Sequence, residues 1–449
     1  MRGSLLQSFD RIYILNLHGN ALKKEKCPDG SKDENVFDIK QGVTIGIFIK
    51  SKKLGKKRIY YADLWGLKED KYHWLDRHTI DNVEWQEIKP ISPFYFFVPK
   101  NTASEEEYNK FWKITDIFPV NSVGVVTSRD DFVIDFDKEE LKKRIKDFRN
   151  NEIPDDKIKN KFKLKDKKNW KLADARKKVI EDEDWLNSIN KILYRPFDIR
   201  WIFYDDKVIE RSRKEVMRHM LKENLGLITV RQVKAGEIWY HCWITDEIIE
   251  SSYISNKTSE INYLFPLYLY SDSGKTPNFS SEFLKFISEK YDKTLTPEEI
   301  FYYIYAILHS PTYRKKYEEF LRYDFPRIPF VDNYDKFKRL SNLGKELVEL
   351  HLMKKRLPIK VKFDIPGSNI VERVKYENGK VWINKEQYFD GVPEDVWNFY
   401  IGGYQVLDKW LKSRKNMKMK SEEIEQFFQI IEIVRQTINL MKEIELFCY

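Results

Sequence analysis

Arg231 and Gln232, in the stretch LGLITVRQVKAGEIWYHCW over residues 225–243, are side chains able to read a base pair. An arginine fork can bond O6 and N7 of guanine, and a glutamine amide N6 and N7 of adenine, in the major groove of a duplex. Lys234 follows in the turn, where a single ammonium suits a phosphate, and Trp239 offers a ring for stacking or for fixing shape. The pattern predicts a strand, a reversal at Gly236 and a second strand. Side chains alternate along a strand, so Arg231 shares a face with Val233 and Gln232 takes the other. Arg231 is therefore the expected base reader and Lys234 a phosphate contact. Arg211 and Arg213, beside a predicted helix start, join this set, and Arg314, Arg327, Lys409, Lys412 and Arg414 are candidates for the phosphates that set register on a duplex. The same residue types serve equally as surface or structural groups, and the cluster alone does not separate the two readings.

Other chemistries leave little trace. No GxGxxG loop follows a predicted strand and no GxxxxGK[ST] occurs. Ser273–Thr276 (SGKT) ends like a phosphate loop, but Leu269 stands where the first glycine belongs, so a surface turn is expected. Asp81, Glu87 and Lys89 have the residue types of a metal-dependent nuclease, a combination that arises by chance in a lysine-rich chain. His241 and Cys242 are neighbours, yet adjacent strand positions face opposite ways, so no metal site is expected.

The elements that would position these residues fall into two kinds. Arg11–Leu17 and Gly42–Ile49 are nearly continuous apolar runs, the pattern of strands buried on both faces. From residue 192 onward, strand-like runs alternate with turns. Residues 137–183 are lysine-rich, and KEELKKRIKDF spaces apolar residues as an amphipathic helix does, so a solvated helical spacer is expected there. Residues 297–320 read as two helices broken at Ser310-Pro311, with serine as N-cap and proline at the first helical position. Asn378-Gly379 between alternating runs predicts a hairpin. In GGYQVLDKWLKSRK, a Gly-Gly turn leads into a helix burying Val406, Leu407, Trp410 and Leu411.

Length and composition fit this plan. A chain of 449 residues with 42% hydrophobic and 15% aromatic residues supports two to four domains with sizeable cores. No apolar run of about 18 residues occurs, so no membrane partner is expected. The N-terminus has no apolar signal core, and the three cysteines are far apart, which together point to a cytoplasmic protein. A net charge of +9 is compatible with nucleic acid but modest for the length.

Seven stretches, LNLHGN, DENVFDIKQGV, LYRPFDIRWIFY, FPLYLY, YAILHSPTYRKKY, DFPRIPF and YIGGYQVLDKWLKSR, run in order along nearly the whole chain. On these stretches the chain resembles the C-terminal part of type ISP restriction–modification enzymes, which join a nuclease, a DNA translocase, an adenine-N6 methyltransferase and a specificity domain in one polypeptide. The resemblance implies an α/β and α+β protein. Residues 1–62 would be the terminal strands of a doubly wound methyltransferase sheet, 63–84 a connector, and 85–449 a mixed α+β specificity region with a helical C-terminus. Phe48 best matches the aromatic that packs against a flipped adenine, although a place in the sheet core suits it as well. The S-adenosylmethionine loop and the (N/D)PP(Y/F) tetrapeptide of such enzymes are absent here and would lie before Met1, so no cofactor is expected in this chain and methyl transfer by it alone is not. The implied function is recognition of a specific duplex DNA sequence. A separate methyltransferase, helicase and nuclease polypeptide is an expected partner if the chain is a split subunit; a gene fragment or a degenerate remnant fits equally. Two other readings stay open: a subunit of an active split adenine methyltransferase, and a non-catalytic protein scaffold.

Overall fold

The computed structural model describes residues 1–21, 25–51, 54–92, 95–99, 104–233, 238–255 and 260–448. The chain divides into two compact units, Met1–Ala103 and Ser104–Tyr449.

In the first unit a short helix, α1 (Arg2–Ser8), precedes strand β1 (Arg11–His18). Then come β2 (Val43–Ile49), β3 (Arg58–Asp63), helix α2 (Lys68–Arg77) and β4 (Gln86–Ile88). The strands form one mixed sheet in the order β2-β1-β3-β4. β1 and β3 run parallel, and both outer pairs are antiparallel. Ile12, Leu15, Leu17 and Ile59 are buried, as the apolar runs in β1 and β3 require. β2 departs from expectation. It is an edge strand, and Ile45, Ile47 and Phe48 are exposed on it rather than buried on both faces. The stretch 63–84, expected as a connector, holds α2, which is tied back into the unit. Lys71 of that helix is fully buried and donates to Asp33 at 2.6 Å and to the carbonyls of Leu17 and Glu34. A buried ammonium is tolerable because each of its protons has an acceptor.

The second unit is built around one contiguous apolar core. Two four-stranded sheets supply part of it. One has the order Cys242–Thr245, Gly226–Val230, Asn262–Pro266, Ser122–Val123; the other runs Ile248–Ile249, Ile189–Arg195, Asp198–Phe203, Ile134–Asp135. The helices Pro297–His309, Tyr334–His351 and Ser421–Cys448 supply the rest. Helix Pro297–His309 starts with a capping box from Thr296 and Glu299, and the next helix, Pro311–Lys316, takes Ser310 as its N-cap. Asn378 and Gly379 both have positive φ at the hairpin between Lys375–Glu377 and Lys380–Trp382, as a tight reversal of that kind needs.

The lysine-rich stretch is not a solvated spacer. Helices Lys138–Arg149, Asp155–Lys161 and Leu172–Ile180 turn Leu141, Ile145, Phe148, Ile158 and Val179 wholly into the core. The charge run occupies the outer face, and the intervening apolar positions decide the packing.

Candidate nucleic-acid interface

Every residue of the strand Gly226–Val230 is buried, and the strand stops where the burial stops. Its last paired positions are Thr229 opposite Cys242 and Val230 opposite Asn262. Arg231 is the first residue beyond both neighbours, and its side chain is 66% exposed. Its Nε lies 3.5 Å from Oδ1 of Asp324, the one ion pair it makes among the described residues. Gln232 is exposed, and Val233 is anchored by a hydrogen bond from its N–H to the Arg322 carbonyl at 3.0 Å. Lys234 lies outside the described residues. The strand ends at Val230, so the expected alternation does not extend through Arg231: Arg231 and Gln232 are both exposed, while Val233 packs against the core.

Asp324 is a residue that sequence reasoning missed. Its Oδ2 accepts from Lys113 Nζ at 2.6 Å, while Oδ1 is buried and has no hydrogen-bond donor. Lys113 pairs with Arg327 across a two-residue ladder, which fixes the backbone on both sides of the ion pair. The signal was present, since Asp324 opens the quoted stretch DFPRIPF, but nothing in that stretch alone points to Arg231.

Apolar and aromatic groups border the same end of the sheet. Ile238 and Ile261 are exposed, and so is Tyr400, whose ring stacks on Tyr240 with centroids 6.1 Å apart. The Gly402 N–H donates to the Tyr240 carbonyl and that of Gly403 to the Ile254 carbonyl. Gly402 has φ +55°, and a Cβ there would meet the Ile254 backbone at 2.5 Å, so glycine is required at position 402 for this approach. The helix after it, Val406–Lys412, buries Val406, Leu407, Trp410 and Leu411 as expected.

Several expected contacts prove structural. Trp239 is fully buried, so it presents no ring to a partner; its neighbours are core groups, with Arg314 5.7 Å from the ring centre. Arg314 is itself buried, with Nε donating to the Leu308 carbonyl at 2.6 Å, and burial pulls its pKa down. Arg414 is buried over Trp410 and donates from Nε to Glu423 at 2.8 Å. Neither arginine reaches a phosphate without unpacking its surroundings. Arg327 is half-buried and donates to the Phe111 carbonyl at 3.1 Å. Arg213 is half-buried with φ +57° just before a short helix, whereas Arg211 is exposed and its backbone bridges Val126. Lys412 is exposed and pairs with Asp408 at 2.7 Å, while Lys409 lies 5.1 Å from the Tyr404 ring centre. In the first unit Phe48 is 39% exposed, with its ring centroid 5.3 Å from that of Phe9, so it is not a sheet-core residue. His241 donates to or accepts from Glu260 at 3.1 Å deep in the core, and no group of residues able to hold a metal occurs among the described residues.

A family model, the Type ISP C-terminal specificity domain, matches residues 116–443. No curated protein matches the chain. Solved structures share its fold. A cryo-EM structure of a DrdV–DNA complex aligns with TM-score 0.76 and 24% identity, over 98% of this chain and 48% of that one. A nuclease-deletion mutant of the Type ISP restriction–modification enzyme LlaGI, in complex with a DNA substrate mimic, aligns at TM-score 0.71 and 21% identity over 99% of this chain. The ATP-dependent Type ISP enzyme LlaBIII bound to DNA gives 0.74 and 22%, again over 99%. The chain spans 44% of the LlaGI chain and 32% of the LlaBIII chain.

Proposed function

Because the chain belongs to the family of Type ISP C-terminal specificity domains, we propose that it recognises a specific sequence in duplex DNA for a restriction–modification system. The family match over residues 116–443 carries this reading, and the fold it shares with three DNA-bound relatives supports it. The exposed end of the sheet at Arg231 and Gln232 is where base contacts are assigned. Arg211, Lys409 and Lys412 are assigned to phosphates, with Arg327 and Arg213 at the margin of that set.

The first unit is read as the end of an adenine methyltransferase sheet, with Phe48 on its exposed edge strand available to a flipped base. No residue of the chain is assigned to S-adenosylmethionine, since the sequence holds neither its glycine loop nor the catalytic tetrapeptide. Methyl transfer is assigned to parts outside this sequence, whether on the same polypeptide or on a partner, in the cytoplasm. No helix among the described residues is long and apolar enough to cross a membrane.

Fluorescence anisotropy with labelled duplex DNA across a salt series tests the binding itself. Affinity should fall steeply with added salt, because each phosphate contact releases condensed counterions. A salt-independent signal, or none, contradicts the reading and favours a protein scaffold.

A further inference from the structure

We propose that Asp324 is the positioning residue for Arg231, holding its guanidinium so that the Nη pair faces a guanine edge. The proposal rests on the reading that the chain recognises duplex DNA.

Three observations carry it. First, the contact between the two falls on Nε of Arg231 rather than on either Nη atom. Guanine recognition uses a two-pronged approach to O6 and N7, and a fork paired by charge at Nε, 3.5 Å away, keeps its terminal pair for that task. Second, Asp324 is itself fixed. Lys113 holds its Oδ2 at 2.6 Å, and the Ile114 N–H donates to the Pro326 carbonyl at 3.0 Å, which locks the following backbone. The other oxygen, Oδ1, is buried and lacks a hydrogen-bond donor, a state that draws a cation toward it. Third, the Arg231 backbone is clamped on both sides, by the strand ladder at Val230 and by the Val233 bond to the Arg322 carbonyl.

The physical consequence is preorganisation. An arginine standing free beyond a strand end samples many rotamers, and ordering them on the DNA subtracts from affinity for the correct base. A carboxylate that already restrains the stem lowers that cost and fixes the angle of the fork. Lys113 keeps Asp324 from swinging onto the Nη atoms. The carboxylate also excludes negatively charged or acceptor-only approaches near Nε, which sharpens discrimination without a contact to the base.

The test is selection from randomised duplex DNA with the full chain, carried out on the wild type, Arg231→Ala, Asp324→Asn, Asp324→Glu, Arg231→Lys and the double variant. Melting temperatures are measured alongside. The wild type should enrich a motif containing a guanine that Arg231→Ala leaves degenerate, with discrimination at that position falling by about tenfold or more. Asp324→Asn should loosen the same position and no other, the double variant should lose nothing beyond Arg231→Ala, and Asp324→Glu should restore part of the preference. Arg231→Lys should lose the preference as fully as alanine, because its single ammonium is taken by Asp324; this arm does not depend on how Asp324 variants fold. Asp324→Asn with unchanged preference overturns the proposal, and so does Arg231→Lys that keeps the guanine. A wild type that enriches no motif overturns the DNA reading and this proposal with it.

Discussion

The guanidinium of Arg414 lies 3.5 Å from the centre of the Trp410 ring, and its Nε donates to Glu423 at 2.8 Å. A residue type that on a surface would meet phosphates here ties the helix Val406–Lys412 to the start of the C-terminal helix. Arg414→Ala should remove the stack and leave the partly buried Glu423 carboxylate with the Lys420 N–H at 3.1 Å but without its cationic partner. A loss of about 3 kcal/mol in unfolding free energy is expected from urea titration. The salt dependence of DNA binding should stay as in the wild type; a loss of binding with unchanged stability would show that Arg414 contacts DNA.

Acid should destabilise the second unit through its buried histidines. Burial pushes the His351 imidazole from its ordinary 6.5 down to about 3, with the nearby Arg314 charge acting in the same direction. Burial also holds His309 well below the ordinary value, again helped by Arg314 and by His351. A folded-state pKa below the unfolded one means that the unfolded chain binds more protons as pH falls. The stability that His351 holds is therefore full above about 6.5 and is lost progressively toward 3, at about 1.4 kcal/mol per pH unit, and His309 adds to the loss in the same direction. His351 accepts from or donates to Tyr305 at 2.7 Å and Thr437 at 2.9 Å. Thermal melts from pH 7.5 to 5 should show a steep fall, and His351→Gln should flatten it while lowering stability at neutral pH.

Gly344 lets the helix Tyr334–His351 touch the helix Pro297–His309. A Cβ at this position would collide with the Tyr302 carbonyl, which belongs to the facing backbone and has nowhere to move. Gly344→Ala should cost about 3 kcal/mol despite the better helix propensity of alanine. A calorimetric melt at unchanged temperature would mean that the two helices separate more readily than their packing suggests.

Lys412 and Arg231 should fail differently. Lys412 is exposed and, among the described residues, pairs only with Asp408 one helical turn back, an arrangement that contributes little to stability. Lys412→Ala should weaken binding to all duplexes alike and lower the slope of log affinity against log salt by about 1. Arg231→Ala should leave that slope closer to the wild-type value and relax preference at one base pair.

Local signals in the sequence were a good guide to local structure. The Thr296 and Ser310 caps, the Asn378-Gly379 reversal and the buried face of Val406–Lys412 each rest on a few adjacent residues whose chemistry is complete in itself. Burial was far less legible. Arg314, Arg414 and Trp239 look like surface binders by type, but their environment includes distant segments: Trp239 and Tyr240 lie against Arg314, and Asp198 lies 3.8 Å from Arg414. The lysine-rich helices misled for a related reason, since charge dominates the count while Leu141, Ile145 and Phe148 set the packing. The edge position of β2 could not be read from its apolar run, because pairing on one side is a property of the sheet. Asp324 and Arg231 meet only through the fold, so their relationship had no sequence signature at all.

The central claim is that this chain reads a specific duplex sequence, and selection from randomised duplex DNA at physiological salt tests it most directly. Enrichment of one defined motif by the wild-type chain, with at least one guanine lost from it on Arg231→Ala, is the predicted result. Recovered pools with no more sequence bias than the starting library would contradict the account.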